Sequence, residues 1–186
     1  MSSNLNQPTY DVAVVGAGFG GALTALVAAQ NGCKVLLLEQ GRHPRIVIGE
    51  STTPLTNLLL EEIAMEHQLP FLLNFTQWGK WKAHHPDIRV GLKRGFGFYN
   101  HCHSPQEFSN DFWHQELMVA ASPNKQVADT HWWREDWDAF LTHQAELHGV
   151  TYLDQAHIKH FEETPDNIRL DILHDGKPAS VRPLSH

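Results

Sequence analysis

The turn Gly16-Ala17-Gly18-Phe19-Gly20-Gly21 constrains this chain more than any other feature, because of what lies on either side of it. It follows Val12-Ala13-Val14-Val15, an apolar run without alternation, as expected of a parallel strand covered on both faces. A helical pattern comes next, with Leu23, Leu26 and Val27 on one stripe, and it stops at Asn31-Gly32. A second strand, Lys34 to Leu38, closes on Glu39. Strand, glycine turn, helix, strand and acid make a βαβ unit of dinucleotide-binding type. The expected fold class is therefore α/β, built on a Rossmann-like sheet.

Within the turn, Gly16 permits the tight exit from the strand, and Gly18 keeps a Cβ away from an approaching pyrophosphate. Gly21 lets the helix pack closely. With Ala17 between the first two, these are the candidate cofactor-binding positions. A pyrophosphate there would meet the free N–H groups and positive end of the helix. Glu39 is placed to accept hydrogen bonds from an adenosine ribose, a charge-assisted contact of about 1.5–3 kcal/mol. The motif alone does not separate FAD from NAD(P).

Composition narrows the rest. A chain of 186 residues supports one domain, expected to span 1–186. The net charge of -7, with no basic tract, argues against nucleic acid as a partner. No run approaches the ~18 apolar residues of a membrane span, and the polar start does not read as a signal peptide. Cys33 and Cys102 make no disulfide framework, so a reducing cytoplasm is the expected location. His84-His85 and His101-Cys102-His103 invite a metal reading, but Cys33 falls where a buried strand is expected and no third thiolate exists. No metal site is expected. Trp132-Trp133 reads as packing, with a substrate wall as the alternative.

After Glu39 the chain reads Pro44-Arg45, then Ile48-Gly49-Glu50-Ser51. This order resembles flavin-dependent halogenases and their aromatic-monooxygenase relatives, tryptophan halogenases among them. The resemblance implies FAD as cofactor, on a glutathione-reductase-type flavoprotein fold. It also implies that Gly49, Glu50 and Ser51 form a segment against the flavin, with Arg45 near the cofactor. Thr53-Pro54 then opens a helix whose apolar face, Leu55, Leu58, Leu59 and Ile63, is expected in the core.

The strand Val90-Gly91-Leu92-Lys93-Arg94-Gly95-Phe96 places Lys93 on the catalytic lysine of that family, which presents oxidised halide to substrate. Leu92 and Arg94-Gly95 depart from the halogenase spelling, and a surface lysine on an edge strand is the alternative. Arg134-Glu135-Asp136-Trp137-Asp138-Ala139-Phe140-Leu141 resembles the family's Arg-x-x-Phe-Asp-x-x-Leu signature, which puts Arg134 near the flavin at a helix start. That helix is expected to bury Trp137, Phe140, Leu141 and Ala145 and to end at His148-Gly149, before a parallel strand Val150 to Leu153. Ile158 to Phe161 and Ile168 to Leu173, with a turn at Asp175-Gly176, read as a partial antiparallel layer. The chain ends at Leu184-Ser185-His186, where the family pattern implies a further strand, so the fold is expected to be incomplete at its C-terminus.

The resemblance implies an oxidoreductase using O₂ on a small aromatic substrate, with halide and a separate flavin reductase as partners. A hydroxylase or reductase without halogenation stays open. So does a non-catalytic FAD-binding fragment, or one subunit of a split flavoprotein with a C-terminal companion chain.

Overall fold

The computed structural model describes residues 9–101, 114–120, 122–165 and 168–183. Cys102, His103 and the Leu184-Ser185-His186 end lie outside the described residues. The chain divides into two compact units, 1–49 with 134–186 and, inserted between these segments, 50–133.

The first unit opens with strands β1 (Thr9–Tyr10) and β2 (Val12–Val15), helix α1 (Phe19–Gln30) and strand β3 (Val35–Leu38). The βαβ order read from the sequence is present, and β2 and β3 pair in parallel. Three expectations need correcting. Strand β2 is not fully covered: Val12, Ala13 and Val14 are half-buried and Val15 is 64% exposed, and among the described residues β3 alone pairs with it. Full burial belongs to the central strand β3, where Val35, Leu36, Leu37 and Leu38 are all enclosed. The innermost stripe of α1 is Ala22, Ala25 and Leu26, with Leu23 and Val27 only half-buried, because small alanines let the helix approach its neighbours closely. The helix ends at Asn31, and Gly32 takes the left-handed conformation at φ +86. Cys33 precedes β3 and is half-buried rather than enclosed in the strand.

The inserted unit carries helix α2 (Pro54–Glu66), a 3₁₀ turn over Pro70–Phe75 and helix α3 (Trp78–His84). Strands β4 (Val90–Lys93), β5 (Gly95–Tyr99), β6 (Glu116–Ala120) and β7 (Asp129–Trp132) follow. Strands β4 and β7 pair antiparallel, as do β5 and β6. Thr53 and Thr56 form a capping box and Pro54 opens α2, as its chemistry favours. Most of the expected core face of α2 is open: Leu55 and Leu58 are each 62% exposed and Leu59 is exposed too, Ile63 is half-buried, and Leu60 and Ala64 are the buried residues. Periodicity gave a helix with apolar residues on more than one side, and packing selected the Leu60 side. The core of this unit is aromatic, with Phe75 edge-on to Trp81 at 4.8 Å.

The chain returns to the first unit through helix α4 (Arg134–Leu147), then strands β8 (Thr151–Leu153), β9 (Ala156–Glu163), β10 (Ile168–His174) and β11 (Lys177–Pro183). Strand β8 joins β3 in parallel, giving a sheet in the order β2-β3-β8. The stripe of α4 holds Trp137, Leu141 and Ala145, with Asp138 and Thr142 enclosed and Phe140 half-buried. Strands β9, β10 and β11 form the expected antiparallel meander, with Asp175 and Gly176 both at positive φ in the tight turn. Strand β11 also pairs in parallel with β1, a contact too short to show in the sequence. Leu36 and Leu38 pack with Leu170, Ile172 and Val181 from the meander. Each such side chain contributes about 1.5–3 kcal/mol by leaving water. The meander thereby fixes the parallel sheet on which the candidate site is built.

Candidate functional site

In the first unit the glycine turn has the geometry its residues demand. Gly16 sits at φ +97, and its N–H donates to the Leu38 carbonyl at 2.7 Å, tying the turn to the end of β3. A Cβ on Gly21 would lie 1.8 Å from the Gly16 carbonyl oxygen, so no side chain fits there. Gly18 caps α1 without any side-chain hydrogen bond, which leaves the N–H groups of the first helical turn available to an anion. A Cβ on Gly18 would stand 3.4 Å from Arg134 Nη2 and 3.8 Å from Arg45 Nη2. Two guanidinium groups thus converge on Gly18.

Glu39 is buried at the end of β3 and already has three donors. Its Oε2 accepts from the Ala17 N–H at 2.9 Å and from Arg45 Nη2 at 3.0 Å, and its Oε1 accepts from the Gly41 N–H at 2.8 Å. A carboxylate offers about four lone-pair sites, so capacity for one more donor remains. Burial works against its charge, but the Gly41 and Ala17 N–H groups and Arg45 outweigh it and hold the carboxyl below its ordinary range. A cleft of about 410 Å³ opens beside it, lined by Val15, Gly16, Leu38, Glu39 and residues at the start of β9. It lies at the C-terminal ends of β2 and β3, where open α/β sheets take their ligands.

Arg134, only 9% exposed, holds the segment before the inserted unit. Its Nε and Nη2 donate to the two oxygens of Asp138 at 2.7 and 2.8 Å, one helical turn on. Its Nη1 donates to the carbonyls of Ile48 and Gly49, both at 3.1 Å, and its plane lies 4.7 Å from the Phe19 ring. Gly49 accepts this from φ +90, a conformation that suits glycine. Sequence reasoning placed Asp138 in the same family signature as Arg134 but gave it no role, although the i,i+4 spacing of an arginine and an acid was there to be read. It also missed His43, whose Nε2 lies 2.8 Å from the Ala17 carbonyl oxygen. Burial lowers the imidazole's proton affinity below the usual histidine value.

Of the expected site residues, Gly16, Ala17, Gly18, Gly21, Glu39, Arg45, Gly49 and Arg134 fall in the first unit, and Glu50, Ser51 and Lys93 in the inserted one. There the Glu50 carbonyl accepts from the Trp132 N–H at 2.7 Å, and Ser51 bridges to His131. Lys93 is not the surface lysine of the alternative reading. It is 7% exposed and donates from Nζ to Ser51 Oγ at 2.8 Å and to the Thr52 carbonyl, with the Phe96 ring 5.2 Å away. Trp132 is buried, whereas Trp133 is partly open beneath the Arg89 guanidinium at 4.6 Å.

Residues 14–54 match a family model described as an NAD(P)-binding Rossmann-like domain. Over 163 residues the chain is 28% identical to monodechloroaminopyrrolnitrin halogenase PrnC of Pseudomonas fluorescens, covering 86% of this chain and 27% of that protein. It is 26% identical over 153 residues to tetracycline 7-halogenase of Kitasatospora aureofaciens, covering 82% of this chain and 26% of that one. The crystal structure of halogenase PltM in complex with phloroglucinol and FAD superposes with a TM-score of 0.75 at 27% identity, over 92% of this chain and 33% of PltM. The chain thus spans about a quarter of the length of these curated relatives and a third of that structure. In sequence and in fold, the chain is similar to the first part of flavin-dependent halogenases.

Proposed function

We propose that the first unit binds FAD and that the protein is a flavin-dependent oxidoreductase acting with O₂ on a small aromatic molecule, with halide as co-substrate. The observation that carries the FAD assignment is the convergence at Gly18: an uncapped helix start, two guanidinium groups and Glu39 at the end of the next strand. That donor set fits a dinucleotide. The helix N–H groups, Arg45 and Arg134 suit the pyrophosphate, and the remaining acceptor site of Glu39 suits a ribose hydroxyl. Ala17 and Gly16 give the turn its shape, and Gly21 seats the helix beneath it. Gly49, Glu50 and Ser51 are assigned to the flavin. Reduced FAD supplies the electrons with which O₂ is activated; the chain's own residues bind, orient and exclude water.

Lys93 is assigned as the residue that delivers oxidised halide, because it presents a buried ammonium next to Ser51. The relatives' names point to aromatic compounds: monodechloroaminopyrrolnitrin and tetracycline for two of them, and phloroglucinol bound to the third. A separate flavin reductase is the proposed electron source. A second reading, oxidation without halogenation, is favoured by the hydrogen bonds of Lys93, two of whose three donors serve the protein itself.

Gly18→Val tests the cofactor. Flavin fluorescence quenching should show FAD binding by the parent and at least a roughly hundredfold loss in the variant, because the new side chain stands where the pyrophosphate must lie. Binding of NADP but not FAD by the parent would overturn the assignment. Lys93→Ala in the whole protein tests the chemistry: halogenated product should vanish in mass spectra while flavin reoxidation by O₂ continues. Undiminished halogenation removes Lys93 from the reaction.

A further inference from the structure

Asp129 is 4% exposed and stands directly across the β4–β7 ladder from Lys93. A buried cation and a buried anion on facing positions would ordinarily close an ion pair, since each offsets the other's loss of water. These two do not. Lys93 turns to Ser51 and Thr52 instead. Asp129 keeps Oδ1 on Asn57 Nδ2 at 2.7 Å, and its Oδ2 is buried with no hydrogen-bond partner. Asn57 Oδ1 is buried and without a donor as well. Burial pushes the Asp129 carboxyl up, and the Lys93 charge and the Asn57 hydrogen bond only partly counter it. Two buried acceptors, on side chains bonded to each other, therefore lack a donor.

The geometry points to a second seat for the Lys93 ammonium, formed by Asp129 Oδ2 and Asn57 Oδ1. Directly opposed residues on antiparallel strands hold their Cβ atoms about 4.5–5.5 Å apart, and a lysine reaches across that gap by side-chain rotation alone. In the first seat the ammonium rests on Ser51 and Thr52; in the second it meets a carboxylate and an amide oxygen. The proton stays on nitrogen throughout, and no covalent bond changes. Asp129 and Asn57 are positioning residues, acting through the lysine and touching no substrate. The functional meaning of the exchange rests on the assignment of Lys93 above; the seat itself does not.

The test measures Lys93 without measuring product. The chain is treated with an amine-reactive reagent at fixed pH, and labelling of Lys93 is followed by peptide mass spectrometry, with Lys80 of the same unit as reference. Asp129→Asn is nearly isosteric and keeps an acceptor for Asn57, but withdraws the charge from the second seat. Labelling of Lys93 relative to Lys80 should rise roughly tenfold, as expected when a buried cation loses an anion facing it. Asp129→Glu should restore the slow rate. Equal rates in parent and Asp129→Asn overturn the proposal, and so does an Asp129→Glu variant as fast as Asp129→Asn. If Asp129→Asn opens the unit, seen as faster labelling of Lys80 itself, Asn57→Asp decides: a second carboxylate should slow Lys93 below the parent, and an unchanged or faster rate overturns the seat. Loss or survival of halogenation bears on the functional assignment alone.

Discussion

The two units handle buried charge in opposite ways. In the first, each buried acid among the described residues closes on an arginine: Arg134 on both oxygens of Asp138, Arg45 on Glu39. In the inserted unit, Lys93 and Asp129 share a ladder position and leave the pair open. Matched charge builds a scaffold that holds backbone still, here the Ile48-Gly49 carbonyls and the Ala17 amide. Unmatched charge marks a place where a side chain can change partners.

The comparison breaks first on stability. Asp138→Asn should cost about 3–5 kcal/mol in urea unfolding, because Arg134 is left buried and uncompensated. Asp129→Asn, whose carboxyl is already disfavoured in its charged form, should cost about 1 kcal/mol. Similar losses in both would erase the distinction. Gly21→Ala comes next: with 1.8 Å available, the turn or the helix must move, at about 3 kcal/mol by thermal unfolding.

The pH dependence is smaller and differs in sign between the units. Backbone N–H groups and Arg45 outweigh burial at Glu39 and lower its carboxyl, so it stabilises the fold above the ordinary glutamate range, and this is lost as pH falls through the lowered value. Asp129 is raised, chiefly by burial, so its charged form penalises the fold near neutrality and the penalty fades as pH falls through the raised value. Amide hydrogen exchange should show β4 and β7 more protected on mild acidification, and β3 less protected only at lower pH. Parallel changes in both sheets would refute it. The smallest effect is expected at the open face of α2, where Leu58→Ser should stay within about 0.5 kcal/mol, measured by thermal unfolding of this chain.

What the sequence revealed follows the same division. Gly16 and Gly21 were legible because each sits where few residues fit, one at positive φ and one with no room for a Cβ, at spacings set by one strand and one helix. The meander's Asp175-Gly176 turn was legible for similar local reasons, whereas Arg134 was reached through the family signature it resembles. The face of α2 was not: Leu55, Leu58, Leu59 and Leu60 are equally apolar, and only three-dimensional packing distinguishes them. Nor were Asp129 and Asn57, whose meeting with each other opposite Lys93 depends on which elements pack across a long stretch of chain. Local periodicity carries no trace of that.

Arg134 has one more consequence. The carbonyls it holds, those of Ile48 and Gly49, are the last before the inserted unit, and Arg134 is the first residue after it. Departure and return therefore share one anchor, and within the insertion Glu50 and Trp132 are hydrogen-bonded as well. The insertion behaves as a cassette with a built-in clasp. Such a module can lengthen, shorten or be exchanged at little entropic cost to its host, since closure grows only slowly with loop length. Variation in chemistry across a lineage of this architecture could accumulate inside the cassette while the nucleotide-binding frame stays as it is.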